Sequence, residues 1–199
     1  NIILILSFSV SVNNFIERLE KENRSIPKIL HVARNKSFYR IENNKLQYLL
    51  ATGKYENLKR EEGTRRFSEE RRTKKPLFSN KVASYFEIND DIGMVEFHSK
   101  ANALDGESMK LLSDAIDHSE INHRGMVIHN DASHFSCGVN LERISDFIEV
   151  CDWDGLDAFL EHFQKTVKKM KYSSIPVVSA PSGLSIGGGF EVVLHTDAS

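Results

Sequence analysis

Apolar positions in the second half of the chain change period repeatedly. From Val82 to Ile88, and again from Gly93 to Phe97, the pattern is that of strands, and Asn89-Asp90-Asp91 between them supplies turn chemistry. The spacing then lengthens to three and four. Met109, Leu112 and Ile116 share a helical face that Asp105 can cap. Met126-Val127-Ile128 reads as a short buried strand. Leu156, Phe159, Leu160, Phe163, Val167 and Met170 mark a long amphipathic helix, and Pro176-Val177-Val178-Ser179-Ala180 the next strand. Gly187-Gly188-Gly189 leads into a last helix, Phe190 to about His195. Repeating β-α-β units predict an α/β fold with parallel strands and crossover helices over residues 81–199.

The first half reads differently. Residues 13–50 are mixed and predicted mainly helical: Asn13 or Asn14 can cap a helix carrying Phe15, Ile16 and Leu19, and Pro27 can open a second through Ile29, Leu30 and Ala33. Ser37-Phe38-Tyr39 starts an extended piece. From Lys59 to Lys75 the chain reads KREEGTRRFSEERRTKK, with Phe67 its one apolar residue, and Pro76 ends it. A phosphate-binding role for these arginines is the alternative to a solvated linker; the charge run favours the linker. The expected organisation is a helical segment over 1–58, a charged linker over 59–80, and an α/β region over 81–199. The apolar run Ile2 to Val12 is shorter than the ~20 residues of a membrane span and carries no signal-peptide flanks, so a buried segment is expected.

Composition narrows the class. Of 199 residues, 40% are hydrophobic and 27% charged, with a net charge of -2, which supports a core and gives no reason to expect nucleic acid or an anionic membrane as partner. Cys137 and Cys151 have no metal-ligand spacing and read as reduced thiols of a cytoplasmic protein. His98, His129 and His134 fit no metal-ligand motif either, so no metal is expected.

Two stretches could carry chemistry. Phe135-Ser136-Cys137-Gly138-Val139-Asn140-Leu141 follows a buried strand, and Gly138 permits a sharp turn that leaves the next amide pointing outward. A plain strand-to-helix turn is the alternative. Gly183-Leu184-Ser185-Ile186-Gly187-Gly188-Gly189-Phe190-Glu191 also follows a strand and exposes unpaired N–H groups at a helix start, with Glu191 in the first turn. Glu191 can equally serve there as a structural partner of the helix dipole. The run is not a Walker loop, because no Gly-Lys-Ser/Thr follows, and Val192 stands where a dinucleotide fingerprint needs glycine. Together the stretches offer two amide donors and a carboxylate. That set suits thioester chemistry, in which the amides stabilise an enolate oxygen while the carboxylate moves a proton at the neighbouring carbon.

Ala101-Asn102-Ala103-Leu104, Phe135 to Leu141, Gly187-Gly188-Gly189-Phe190-Glu191 and Thr196-Asp197, in that order and spacing, resemble the crotonase superfamily of enoyl-CoA hydratases. Phe97-His98-Ser99-Lys100, Phe163-Gln164 and Lys171-Tyr172-Ser173-Ser174 resemble the hydratase part of bacterial β-oxidation proteins that fuse it to a 3-hydroxyacyl-CoA dehydrogenase. Residues 13–55, with Arg34-Asn35-Lys36-Ser37-Phe38-Tyr39, are similar to the tail of that dehydrogenase part. The resemblance implies a crotonase-like ββα spiral, incomplete here, and an acyl-CoA substrate. It implies an oxyanion hole from the amides of Val139 and Gly188, with Glu191 as catalytic carboxylate. Lys100, Asn102, Leu104 and Gly138 would line the coenzyme A site. It also implies a homo-oligomer or a complementary chain as partner, and no NAD site in this chain. The family's second glutamate would fall beyond Ser199, so the expectation is a fragment without full hydratase activity, or an inactive or split-gene product acting through association. The helix face of Val192, Val193 and Leu194 is then expected to lack its covering.

Overall fold

The computed structural model describes residues 11–89 and 91–199. Of the Ile2–Val12 run only Ser11 and Val12 are among them, and Asp90 of the expected turn also lies outside the described residues. The chain divides into two compact units, Asn1–Thr73 and Lys74–Ser199.

In the first unit, α1 (Val12–Lys21) and α2 (Lys28–Ala33) pack Ile16, Leu19 and Leu30 into a small core bordered by Phe15, Ile26 and Ile29. Asn13 does not cap α1; it lies inside the helix, and its amide donates to the Asn35 side chain at 2.8 Å. The expectation of a mainly helical segment to residue 50 is corrected beyond α2. Strands β1 (Tyr39–Glu42), β2 (Lys45–Leu49) and β3 (Tyr55–Asn57) form an antiparallel sheet in that order. Asn43 and Asn44 both take positive φ, 50° and 62°, which is the two-residue hairpin geometry that asparagine tolerates.

The charged stretch is not a uniform solvated linker. Phe67, only 5% exposed, opens a short α3 (Phe67–Glu70), and its flanking charges pair internally, Arg60 with Glu69 and Arg65 with both oxygens of Glu70. One apolar anchor and paired opposite charges give the stretch local structure that a charge count misses, although each exposed pair contributes little stability.

The second unit runs β4 (Phe78–Ser79), β5 (Ala83–Asn89), β6 (Ile92–Phe97), a 3-10 turn (Lys100–Asn102), α4 (Gly106–Asn122), β7 (Gly125–His129), β8 (His134–Ser136), α5 (Leu141–Glu149), α6 (Trp153–Lys171), β9 (Val177–Ala180), β10 (Leu184–Ser185) and α7 (Gly188–Leu194). Its main sheet has the order β4-β5-β6-β7-β9: the first three strands are antiparallel, and β6, β7 and β9 are parallel. A second, two-stranded parallel sheet joins β8 to β10.

The two long helices form one layer against the main sheet. Asp105 caps α4 through a reciprocal box with Ser108, at 2.9 and 2.7 Å. Lys169 of α6 reaches back to α4, donating to the Ser113 carbonyl at 3.1 Å and pairing with Asp117 at 2.6 Å. Val95, Phe97, Leu112, Ile116, Met126, Ile128, Phe163 and Met170 close one core between sheet and helices. At its margin Tyr85, fully buried, bonds through its hydroxyl to Ser119 and, at 2.8 Å, to Nδ1 of His123. Gly93 makes this possible, since a side chain there would overlap the phenol.

The expectation that Val192, Val193 and Leu194 form a bare face holds only for the last. Val192 is fully buried and Val193 packs on the core, while Leu194 is 63% exposed. The short α7 turns two of the three inward. After it the chain returns to the sheet: Asp197 bonds Val177 through both backbone and side chain at 2.8 Å, and Ala198 makes a parallel bridge with Val178.

Candidate active site

Three segments separated in sequence meet beside the small sheet. The 3-10 turn has Ala101 and Asn102 in left-handed backbone, φ 55° and 51°, and the Asn102 side chain, buried, donates to the His134 carbonyl at 2.8 Å. Cys137 N–H donates to the Ala101 carbonyl at 3.2 Å. Leu104 and Val139 form a parallel bridge, with Leu104 N–H donating to the Gly138 carbonyl at 2.8 Å and Asn140 N–H to the Leu104 carbonyl at 2.7 Å.

This bridge sets the direction of one amide. In a trans peptide the N–H points opposite to the C=O. The Gly138 carbonyl is held toward Leu104, so the Val139 N–H of the same peptide faces away from that strand. The Gly187 carbonyl is likewise held by Phe190 N–H at 2.9 Å and Glu191 N–H at 3.0 Å, so the Gly188 N–H faces out of the first turn of α7. Among the described residues neither amide donates to a backbone carbonyl.

Glycine makes the arrangement possible at two points. Gly138 has φ 90° and Gly187 has φ 51°, both costly for a side-chain-bearing residue. The loops are also in contact: a Cβ on Gly138 would lie 2.9 Å from the Ile186 carbonyl oxygen, and one on Gly188 would lie 3.0 Å from Cγ2 of Val139.

The other expected residues are placed less uniformly. Glu191 lies on α7, exposed, and its carboxylate has no hydrogen bond or ion pair among the described residues. Lys100 is exposed, whereas Leu104 is fully buried with both backbone groups engaged by the first loop. His98 bonds Ser84 at 2.9 Å and His129 bonds the Ala180 carbonyl at 2.7 Å; His134 Nδ1 is buried and has no partner among the described residues. Among the described residues no group of three or more His, Cys, Asp or Glu is placed to hold a metal ion.

A cavity of about 650 Å³ lies elsewhere, between β4 and α4, lined by Phe78, Asn80, Glu107, Leu111, Asp114 and His118. None of the loop residues lines it. Volume and chemistry therefore point to different places, and the oriented amides, with Glu191 three residues after Gly188 on the same helix, are the stronger indication of a reactive site. Ser136, between the two loops, gave no signal in the sequence beyond being small.

The enoyl-CoA hydratase/isomerase family model matches residues 87–199. The chain belongs to that family. Enoyl-CoA hydratase/isomerase relatives among solved structures include one from Streptomyces coelicolor A3(2), a putative enoyl-CoA hydratase at 22% identity with TM-score 0.55, covering 63% of this chain and 48% of that one. Another is a putative enoyl-CoA hydratase/isomerase (crotonase) from Legionella pneumophila, at 23% identity with TM-score 0.54, covering 60% and 48%. These establish the crotonase fold, present in part.

Among curated proteins, a probable 3-hydroxyacyl-CoA dehydrogenase of Bacillus subtilis is 31% identical over 189 residues, covering 94% of this chain but 24% of the relative. A putative fatty acid oxidation complex trifunctional enzyme of Rickettsia prowazekii is 28% identical over 122 residues, 61% of this chain and 17% of the relative. The chain thus spans about a quarter or less of the length of these relatives.

Proposed function

We propose that residues 74–199 bind an acyl-CoA thioester and stabilise the enolate of its acyl group, as the enoyl-CoA hydratase part of a fatty-acid β-oxidation protein. The Val139 and Gly188 amides would receive the thioester oxygen. Glu191 would take a proton from the neighbouring carbon and return it. Charge that develops on the oxygen then meets donors already aimed, with no reorganisation at the moment of reaction. The observation that carries this reading is the pair of peptide planes: the carbonyls of Gly138 and Gly187 are both held by other amides, which leaves the following N–H groups directed away from their own elements. Lys100 and the turn at Asn102 would meet the coenzyme A moiety, with Gly138 beside the thioester; Leu104 would act through the loop it anchors. Neither NAD nor a metal enters the reaction. The free cysteines fit a cytoplasmic setting.

The test is exchange of the α-proton of butyryl-CoA with D₂O, which needs one base and an oxyanion site. Incorporation of deuterium by the purified chain, slowed about 10²–10⁴-fold in Glu191→Gln, is the expected result. No incorporation, or an unchanged rate in the variant, would overturn the assignment.

A second reading has its own observation. Leu141, Val150 and Trp153, on and beside α5 and α6, are 74%, 73% and 58% exposed, which suits a chain that works in association with another copy or a complementary chain. Sedimentation of the purified chain separates this from a monomer.

A further inference from the structure

We infer that Ser136 is a positioning residue that sets the relation between the two oxyanion amides without touching the substrate; this rests on the oxyanion reading above. Ser136 is fully buried at the end of β8, so no ligand reaches it. It is bound to both loops at once. Its Oγ accepts from the Gly138 N–H at 3.1 Å, in the first loop. Its carbonyl accepts from the Ile186 N–H at 3.1 Å, in the second loop, two residues before Gly188. Its Cβ fills the space left at Gly189, where an added methyl would lie 2.5 Å from Ser136 Cβ and 2.8 Å from its Oγ.

The hydroxyl bond is the part that bears on direction. Gly138 is buried, with φ 90°, and its two peptide planes are held at opposite ends, the N–H by Ser136 Oγ and the C=O by Leu104 N–H. With both planes held, the Val139 N–H has one direction. Without the hydroxyl the Gly138 N–H is left buried and unsatisfied, and its peptide can relieve that cost by rotating. Rotation moves Gly138 and, with it, the aim of Val139 N–H. The Gly188 amide, tied through Ile186 to the Ser136 backbone, stays where it is. Removing the hydroxyl thus misaligns one donor against the other while the substrate contacts remain.

This separates a positioning role from a merely structural one. A loss of fold would weaken acyl-CoA binding and proton exchange together. A loss of alignment should slow exchange and leave ground-state binding intact. The experiment uses the full chain as wild type, Ser136→Ala and Ser136→Cys, the last retaining a weaker acceptor in the same place. It measures the dissociation constant for butyryl-CoA, the rate of α-deuterium incorporation in D₂O, and the backbone amide resonances of Val139 and Gly188 on addition of acetoacetyl-CoA, an enolate-forming probe.

Ser136→Ala is expected to slow exchange about 10–100-fold, in line with the cost of an ångström-scale misplacement, with the dissociation constant changed by less than about twofold. The shift of the Val139 resonance with the probe should shrink while that of Gly188 persists, and Ser136→Cys should lie between. An unchanged exchange rate, or parallel loss of rate and binding, would overturn the inference. Should Ser136→Ala not fold, Ser136→Cys decides by the same criteria. Failure of the wild type itself to exchange would remove the oxyanion reading, and this inference with it; a wild type that exchanges beside an unaffected Ser136→Ala would remove this inference alone.

Discussion

A Cβ on Gly138 would sit 3.2 Å from the amide nitrogen of Gly188, so the two glycine loops approach with no room for a side chain between them. Gly138→Ala should therefore fail twice. It forces a left-handed φ on alanine, which costs about 1–3 kcal/mol, and it pushes the loops apart. Thermal melting should fall accordingly, and α-proton exchange should be lost more completely than the melting shift alone would explain. A variant with wild-type exchange would show that the contact is not needed.

The Tyr85–His123 pair should give the second unit a bounded pH range of stability. Burial pushes the His123 imidazole below its ordinary 6.5, with His118 adding to the effect and Glu87 opposing it. The unfolded state then binds the proton more readily. Stability from this site is fully present above 6.5 and is lost as pH falls through the lower folded value. Burial pushes the Tyr85 phenol above its ordinary 10.0, so its contribution is full below 10.0 and is lost as pH rises through the folded value. Melting temperature against pH should be highest between those limits. His123→Gln should flatten the acid limb and Tyr85→Phe the alkaline limb; limbs unchanged by either variant would disprove the assignment.

Trp153 is the one tryptophan, 58% exposed at the start of α6. Dilute protein should show red-shifted indole emission, readily quenched by acrylamide. Raising the concentration should shift the emission to the blue as the Trp153 indole leaves water on association. Emission independent of concentration would count against association through this face.

Amide exchange offers a further check on the loops. Leu104, Gly138, Asn140 and Ile186 each donate to a protein acceptor and should exchange slowly; Val139 and Gly188 should exchange faster than these neighbours. Equal protection across all six would mean that the two amides already have partners.

The sequence made the second unit legible where period and glycine agreed. The strands at β5, β6, β7 and β9 and the long helices α4 and α6 each carry a clear apolar repeat, and the glycine loops stand at strand ends where α/β folds place sites. Of the three-stranded sheet over residues 39–57 only the extended start at Tyr39 was legible, because the strands are short, the first wholly exposed, and the turn is Asn-Asn rather than a glycine pair. Helix α5 buries no residue fully, so nothing obliges its apolar side chains to signal a core. The burial of Phe67 and the pairing of its flanking charges were not legible, because a single apolar residue in a charge run sets no period. Ser136 could not be found, since its proposed role depends on contacts that its place in the chain does not announce: its hydroxyl with Gly138 N–H and its carbonyl with Ile186 N–H, fifty positions away.

The phenol of Tyr85 lies where Gly93 has no side chain, and this makes the two positions a single evolutionary unit. Gly93 cannot drift alone: a lineage that acquires alanine at position 93 must first give up the ring at position 85, and one that keeps tyrosine must keep glycine on the adjacent strand. Ser119 and His123, which exist as partners of the hydroxyl, are released from constraint once it is gone. Across a broad set of relatives these four positions should change together, and the order of change should run from tyrosine outward.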